Sequence, residues 1–374
     1  MTHGIKLSIG NYHFTSEALK KVDSVAELNN YDKLSSYAQQ SLEFCQKWLN
    51  GQKEFRIHTS GSTGTPKEIL ITREQMTASA HATAHALSLQ PGDTALVCLN
   101  TEYIAGKMML VRGLEIGIHL VIVPPSSMPL ASIQTPIDFC ALVPLQLNHM
   151  LETENQNLLK KLNLMRAIIV GGAAVSFQLE QRIQQHLSAP VYSTYGMTET
   201  VSHIALKRLN GEYASDTFRL LPGVEVRQDE RHCLSIRGTV SQKQWIQTND
   251  IVELLDKQHF RWLGRADHVI NSGGVKIYAE QLEARLQPII YEQGFAEQYF
   301  VAPMPDEKLG EKLCLILQRK TPLSKPQTES LYKWMRENLH PYQIPKEVFY
   351  VAEFSSTPTG KVQRASTLAR LKRL

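Results

Sequence analysis

From about residue 55 to residue 195, short apolar runs alternate with longer helical stretches, the rhythm of a layered α/β domain. The runs at 94–99, 119–123, 139–143, 167–170 and 191–194 read as strands. Thr72 followed by Gln75 resembles a capping box, opening a helix through the alanine-rich segment that stops near Pro91-Gly92-Asp93. Another helix is expected over 104–116, and Ser176 supplies the cap of the next. Repeated crossovers of this kind imply a mostly parallel sheet with both faces covered.

After Tyr195 the texture changes to short β-type runs at 224–227, 233–236 and 251–255, which predict a β-rich subdomain over about 205–264. Beyond Arg265-Ala266-Asp267 comes a linker and a small α+β domain. Helices are expected there over 279–286 and 328–339, and strands over 299–302 and 312–317. The fold class is therefore α/β, with a large N-terminal layered body over 1–266 and a small C-terminal α+β domain over 267–374. The basic tail, 364–374, reads as a solvated helix face, with a membrane-surface helix as the alternative.

A chain of 374 residues accommodates two or three domains of roughly 150 residues each. Hydrophobic residues at 43% and charged residues at 20% are globular values. The net charge of +4 is spread along the chain without a basic, aromatic-rich run, which argues against nucleic acid as a partner. Cys45, Cys98, Cys140, Cys233 and Cys314 form no C-x-x-C pair, so neither a disulfide framework nor a zinc site is indicated. No secretion signal opens the sequence, and Arg112, Glu115 and His119 interrupt its most apolar stretch. The expectation is a cytoplasmic protein with no stable membrane insertion.

The most informative segment is Thr59-Ser60-Gly61-Ser62-Thr63-Gly64-Thr65-Pro66-Lys67, flanked by apolar runs. Its glycines let backbone N–H groups approach an anion, its hydroxyls add donors and its lysine adds charge, a combination suited to cradling phosphate. The spacing is not that of a Walker A loop, and a plain Ser/Thr/Gly hairpin loop remains the bland alternative. No G-x-S-x-G elbow surrounds Ser60 or Ser62, and no G-x-G-x-x-G follows a strand. His81 and His85 are spaced i, i+4, but Ala82 stands where a zincin has glutamate.

These segments, taken in order, resemble the adenylate-forming superfamily of acyl-CoA synthetases, luciferases and adenylation domains. Residues 59–67 match its phosphate-binding motif almost letter for letter. Gly171-Gly172-Ala173 is similar to its adenine-binding turn, and Tyr195-Gly196-Met197-Thr198-Glu199 to its aromatic and acidic core motif. Thr248-Asn249-Asp250, Gly264-Arg265-Ala266-Asp267 and Pro358-Thr359-Gly360-Lys361 complete the series. The resemblance implies ATP and Mg²⁺ as cofactors and coenzyme A as the acceptor substrate. It implies that Thr59, Ser60, Gly61, Ser62, Thr63, Gly64, Lys67 and Thr198 meet the phosphates. Gly171, Gly172, Ala173, Tyr195, Gly196 and Met197 would frame the adenine, and Asp250 and Arg265 would hold the ribose. Glu199 would hold the metal, which takes oxygen ligands. Lys361 becomes the mobile catalytic lysine, Asp267 the hinge of a C-terminal lid, and Gly273 and Gly274 the glycines beside the pantetheine arm.

Only 58 residues precede Thr59, and this short N-terminal part resembles short forms of the o-succinylbenzoate-CoA ligase family of menaquinone biosynthesis. In that family an aromatic-His pair is followed, nine residues on, by a basic residue facing the substrate's second carboxylate. Here Tyr103 replaces the histidine and Arg112 keeps the basic position, with Lys107, Ser202 and His203 as further pocket candidates; plain surface charge on a helix is the alternative for Arg112 and Lys107. Ligation of another small aromatic acid, loading of a carrier-protein thiol, and a non-catalytic nucleotide-binding relic stay open as alternatives. A homodimer is an assembly open to it.

Overall fold

A computed structural model describes residues 4–58, 68–296, 298–356 and 362–371. The chain divides into two compact units. One is Met1–Arg227 with Ser235–Ile246 and Leu255–Phe260, and the other is Gln228–Leu234 with Gln247–Leu254 and Arg261–Leu374.

The first unit opens with a hairpin of β1 (Lys6–Ile9) and β2 (Tyr12–Thr15), followed by α1 (Ser16–Lys21) and α2 (Ser36–Leu49). An antiparallel pair, β3 (Glu54–His58) and β4 (Glu68–Thr72), leads into α3 (Arg73–Leu87), β5 (Thr94–Val97), α4 (Ile104–Ile116) and β6 (His119–Ile122). Then come β7 (Phe139–Leu142), α5 (Pro144–Glu152), α6 (Gln156–Asn163), β8 (Ala167–Val170), α7 (Phe177–His186), β9 (Val191–Gly196), β10 (His203–Arg208) and β11 (Phe218–Leu220). The hydrogen-bonded order is β11-β10-β9-β8-β7-β5-β6-β1-β2, parallel from β9 to β1 and antiparallel at both flanks.

The central parallel strands β5, β7 and β8 are apolar on both faces because each serves two cores. Ala95, Val97, Phe139, Ala141, Ala167 and Ile169 pack with Leu42, Trp48, Met76 and Met108 from α2, α3 and α4. Their neighbours Leu96, Cys98, Cys140, Leu142, Ile168 and Val170 pack with Leu147, Leu158 and Ile183 from α5, α6 and α7. The expected capping box forms: Gln75 N–H donates to Thr72 Oγ1 at 3.3 Å, and Thr72 N–H donates to Gln75 Oε1 at 2.9 Å. α3 ends sooner than expected, because Ser88 turns left-handed at φ 54°.

The strands β12 (Val224–Gln228), β13 (Cys233–Gly238), β14 (Ile246–Leu254) and β15 (His259–Arg265) contribute residues to both units. The second unit continues with β16 (Val269–Ser272), β17 (Val275–Tyr278), α8 (Ala279–Glu292), β18 (Tyr299–Asp306), β19 (Gly310–Gln318), α9 (Lys325–Asn338), β20 (Glu347–Val351) and α10 (Arg364–Leu371). Leu313, Leu315 and Leu317 of β19 join Leu282, Leu286, Leu331 and Met335, while Cys314 and Ile316 pack with Phe300 and Phe354. α8 runs past Pro288 to Glu292, beyond the expected stop at 286, because buried Ile289 and Ile290 extend the stripe of Leu282 and Leu286.

Among the described residues no helix is long and apolar enough to cross a membrane. The five cysteines are free and buried.

Candidate active site

In the first unit the chain leaves β8 through Gly171 and Gly172, and each glycine has a local cause. A Cβ on Gly171 would stand 2.2 Å from Thr194 Oγ1 on β9, and Gly172 has φ +81°. Thr194 Oγ1 donates to the Val170 carbonyl at 3.3 Å, so hydroxyl and turn are fixed together. Ala173 follows, exposed.

Tyr195 lies on β9, its ring 5.7 Å from Phe218 and edge-on to Phe260 at 5.2 Å. The two phenylalanines, stacked on each other at 5.4 Å, hold the tyrosine at a fixed angle. Gly196 is obligatory, since a Cβ would meet the Ser202 carbonyl at 2.4 Å. The turn between them is knotted by a residue that sequence reasoning did not name. Buried Thr200 accepts the Met197 N–H at 3.1 Å and donates to the carbonyl of Met197 at 3.0 Å or that of Ser202 at 2.9 Å. Thr198 and exposed Glu199 ride on the same short turn.

Val201 then adopts φ 67°, ψ −51°, with Ser202 N–H donating to the Thr200 carbonyl at 2.7 Å. This is a γ-turn in a β-branched residue, a conformation held only where the surroundings over-determine it. No sequence signal marks it, because valine ordinarily avoids this region.

The turn delivers Ser202 to the interior. Its Oγ accepts from an Arg112 Nη at 2.9 Å and contacts His203 Nδ1 at 3.2 Å, and His203 Nε2 contacts Thr83 Oγ1 at 3.2 Å. Arg112 is only 2% exposed. Among the described residues its other side-chain hydrogen bond is a weak one to Met109 Sδ at 3.7 Å, and its buried Nε has no partner. Ser79 Oγ on α3, the helix packed against α4, is likewise without a partner among the described residues. Burial pulls the guanidinium down to about 10, so it stays charged at neutral pH. Burial, and then the Arg112 charge, hold the His203 imidazole well below its ordinary range.

Arg112, Ser202 and His203, named separately in the sequence, are thus brought together. Lys107 and Tyr103 are not part of that group. Five residues along a helix turn by about 140°, so Lys107 points elsewhere than Arg112. Lys107 Nζ donates to the Glu102 carbonyl at 2.7 Å and lines a cavity of about 520 Å³ with Phe44, Lys47 and Phe55. Tyr103, at the N-cap of α4, is 43% exposed.

In the second unit Arg265 and Asp250 approach to 3.7 Å. Arg265 also grips Asp267 with a fork, Nε to Oδ1 and Nη to Oδ2, both 2.9 Å. Gly273 and Gly274, φ +58° and +82°, form the two-residue turn between β16 and β17, where both positions need positive φ. The phosphate-loop residues 59–67 and Lys361 lie outside the described residues. On either side of them, β3 and β4 pair from Glu54↔Thr72 to His58↔Glu68, and Ser356 bridges Val362.

The fold and these motifs define an enzyme that works on a nucleotide. The chain belongs to the AMP-binding enzyme family, which matches residues 22–233, and within it to the AMP-forming acyl-CoA ligases. It is 43% identical to an acyl-CoA synthetase (AMP-forming)/AMP-acid ligase II-like protein from Dyadobacter fermentans, covering 91% of this chain and 97% of that one with a TM-score of 0.61. The 2-succinylbenzoate–CoA ligase of Bacillus cereus is 26% identical over 82% of this chain and 68% of its own length. The o-succinylbenzoate coenzyme A synthetase of Bacillus subtilis, solved with ATP and magnesium ion, shares the fold with a TM-score of 0.70 at 22% identity, covering 84% of this chain and 69% of that one.

Proposed function

We propose that the protein joins o-succinylbenzoate to coenzyme A in two steps, forming the acyl-adenylate and pyrophosphate from ATP, then the thioester and AMP. The observation that carries the choice of a dicarboxylate is Arg112. A buried cation whose partners, among the described residues, include no carboxylate calls for an anion, and its orphaned Nε and the nearby helix's Ser79 hydroxyl are unused polar capacity. The second carboxylate of o-succinylbenzoate supplies that charge. Relatives bearing the 2-succinylbenzoate–CoA ligase name, 24% to 26% identical over 82% to 93% of this chain, support the same acid.

The residues fit a nucleotide. Gly171 and Gly172 present bare backbone at the end of β8, beside the strand that carries Tyr195, and such backbone can lie against a flat base. Asp250 and Arg265 offer an acceptor and donors for ribose hydroxyls. Among the described residues no group of three or more His, Cys, Asp or Glu side chains could hold a metal ion. Glu199 would therefore hold Mg²⁺ largely through waters and phosphate oxygens, the habit of that ion, and the ion would neutralise phosphate charge. Thr198 and the hydroxyls of 59–67 would orient the phosphates, and Gly273 and Gly274 would lie beside the pantetheine arm. Lys361 would stabilise charge as the carboxylate attacks the α-phosphate. Asp267 would be the hinge on which 267–374 turns between the two steps.

Acid-dependent pyrophosphate release, with o-succinylbenzoate against benzoate and fatty acids, tests this directly. Release with o-succinylbenzoate at a kcat/KM well above the others is expected; equal or better use of benzoate removes the assignment of the acid. Lys361→Ala should nearly abolish adenylate formation yet spare thioester formation from supplied acyl-adenylate.

A further inference from the structure

The second unit contains a cluster of charges that none of these roles uses. Glu280 and Glu283 stand one turn apart at the start of α8, their side chains 14% and 15% exposed. Arg364, the first residue of α10, reaches both: an Nη donates to Glu283 Oε2 at 2.7 Å and lies 3.7 Å from Glu280 Oε1. The same guanidinium sits 5.5 Å from the Phe300 ring centroid, and its other Nη donates to the Val301 carbonyl at 3.5 Å. Glu283 Oε1 accepts the Val301 N–H at 2.8 Å.

Glu280 faces the opposite way with its other oxygen. Oε2 accepts the backbone N–H of Arg265 at 3.3 Å, and Oε1 pairs with His268 Nδ1. The approach is close enough that a Cβ on Gly264 would stand 2.5 Å from Glu280 Oε2. One carboxylate thus touches the end of β15, the residue after Asp267, and the guanidinium that starts α10. Arg364 follows Lys361 by three positions, and the intervening chain is tied back as Gln363 N–H donates to the Ser355 carbonyl at 2.7 Å.

We propose that Arg364, Glu280 and Glu283 form a positioning clamp that, for the adenylation step, sets the strand carrying Arg265 and the segment following Lys361 in a fixed relation, the Glu280 contact to the Arg265 backbone being released when 267–374 turns about Asp267. The clamp touches no reacting atom and acts through the residues it holds. It rests on the reading of Lys361 given above. Its consequence falls on the step that needs Lys361 and Arg265 together, adenylate formation. A lysine at 364 keeps the charge but cannot serve two carboxylates and a carbonyl from one planar fork.

The test compares Arg364→Ala, Arg364→Lys, Glu283→Gln and Lys361→Ala in full-length protein. The readouts are acid-dependent ATP–pyrophosphate exchange, thioester formation from supplied acyl-adenylate, and thermal melting. Arg364→Ala should lose roughly tenfold or more in exchange kcat, with the KM for ATP changed less, because small misplacements of a catalytic group carry large penalties. Thioester formation should fall much less, and Arg364→Lys and Glu283→Gln should be intermediate. Loss of both half-reactions in step with the folded fraction would make the cluster a mere fold staple and overturn the proposal. If Arg364→Ala does not fold, the same split read in Arg364→Lys and Glu283→Gln decides. Unchanged exchange in these variants beside a dead Lys361→Ala would sink the clamp alone, whereas full exchange by Lys361→Ala would sink the underlying reading of the lysine.

Discussion

Arg112 and Ser202, ninety positions apart in the chain, meet at 2.9 Å inside the first unit. The hydroxyl is there only because Val201 is bent into a γ-turn, and the guanidinium is there without a counter-charge among the described residues. A hydroxyl cannot neutralise a buried cation, so the folded protein carries a standing electrostatic cost at this point. An uncompensated buried charge of this kind is what a binding site for an anion would need.

Arg112→Met separates the two. Replacing an unpaired buried cation with an apolar side chain of similar length should leave the melting temperature unchanged or raise it. The KM for o-succinylbenzoate should rise by about tenfold or more, the worth of a charge-assisted hydrogen bond, while that for benzoate changes less. A destabilised variant with unaltered selectivity would make Arg112 a packing residue.

His203 makes a pH prediction. Its folded-state pKa is held well below the ordinary value of about 6.5 by burial and by Arg112. Its contribution to stability is therefore complete above the unfolded-state pKa and is lost as pH falls below it, when the unfolded chain binds the extra proton. Urea titrations from about pH 7.5 to 5 should show wild type losing unfolding free energy faster than His203→Gln. Parallel curves would mean that His203 titrates alike in both states.

Glu283 should behave in the opposite sense. Burial pushes its carboxyl up to about 7, against the pull of Arg364 and the Val301 N–H. The neutral form is thus favoured in the folded state. Stability from this group is present below the unfolded pKa of about 4.3 and is lost as pH rises toward 7, by something on the order of 3 kcal/mol. Relative to Glu283→Gln, wild type should lose unfolding free energy over that window and then level off. A difference that grows above pH 7 instead would place the ionisation elsewhere.

How far these features could be read from the sequence depended on their range. The helix at 104–116 was legible to its ends, since Tyr103 and Gly117 punctuate an apolar stretch, and Gly117 does take the left-handed φ of 85°. The parallel strands were legible because burial on both faces leaves uninterrupted apolar runs. β1 drew no expectation, although Leu7 is a core residue, because the hairpin is four residues a strand; α2, whose Leu42 and Trp48 are in the core, is fourteen residues long and its stripe was not read. Of the candidate site, Arg112 and Ser202 could be named but not joined, and Thr200 and Val201 matter through backbone geometry that their residue types do not advertise. The Glu283–Arg364 pair spans 81 positions and has no local pattern at all.

The glycine at 171 allows fold and function to be separated in one experiment. In Gly171→Ala the new methyl meets Thr194 Oγ1 at 2.2 Å, but Thr194 Cβ lies at 3.5 Å, an ordinary contact. The single variant should lose about 1–3 kcal/mol of stability, as overpacked sites do. Adding Thr194→Ala removes the clashing hydroxyl and should restore most of that loss, a coupling that two independent substitutions would not show. In the double variant the methyl stands where the Thr194 hydroxyl stood and remains on the backbone proposed to meet the base. AMP binding measured by calorimetry should therefore stay weakened after stability has recovered. Full recovery of AMP affinity together with stability would show that this stretch of backbone does not approach the base.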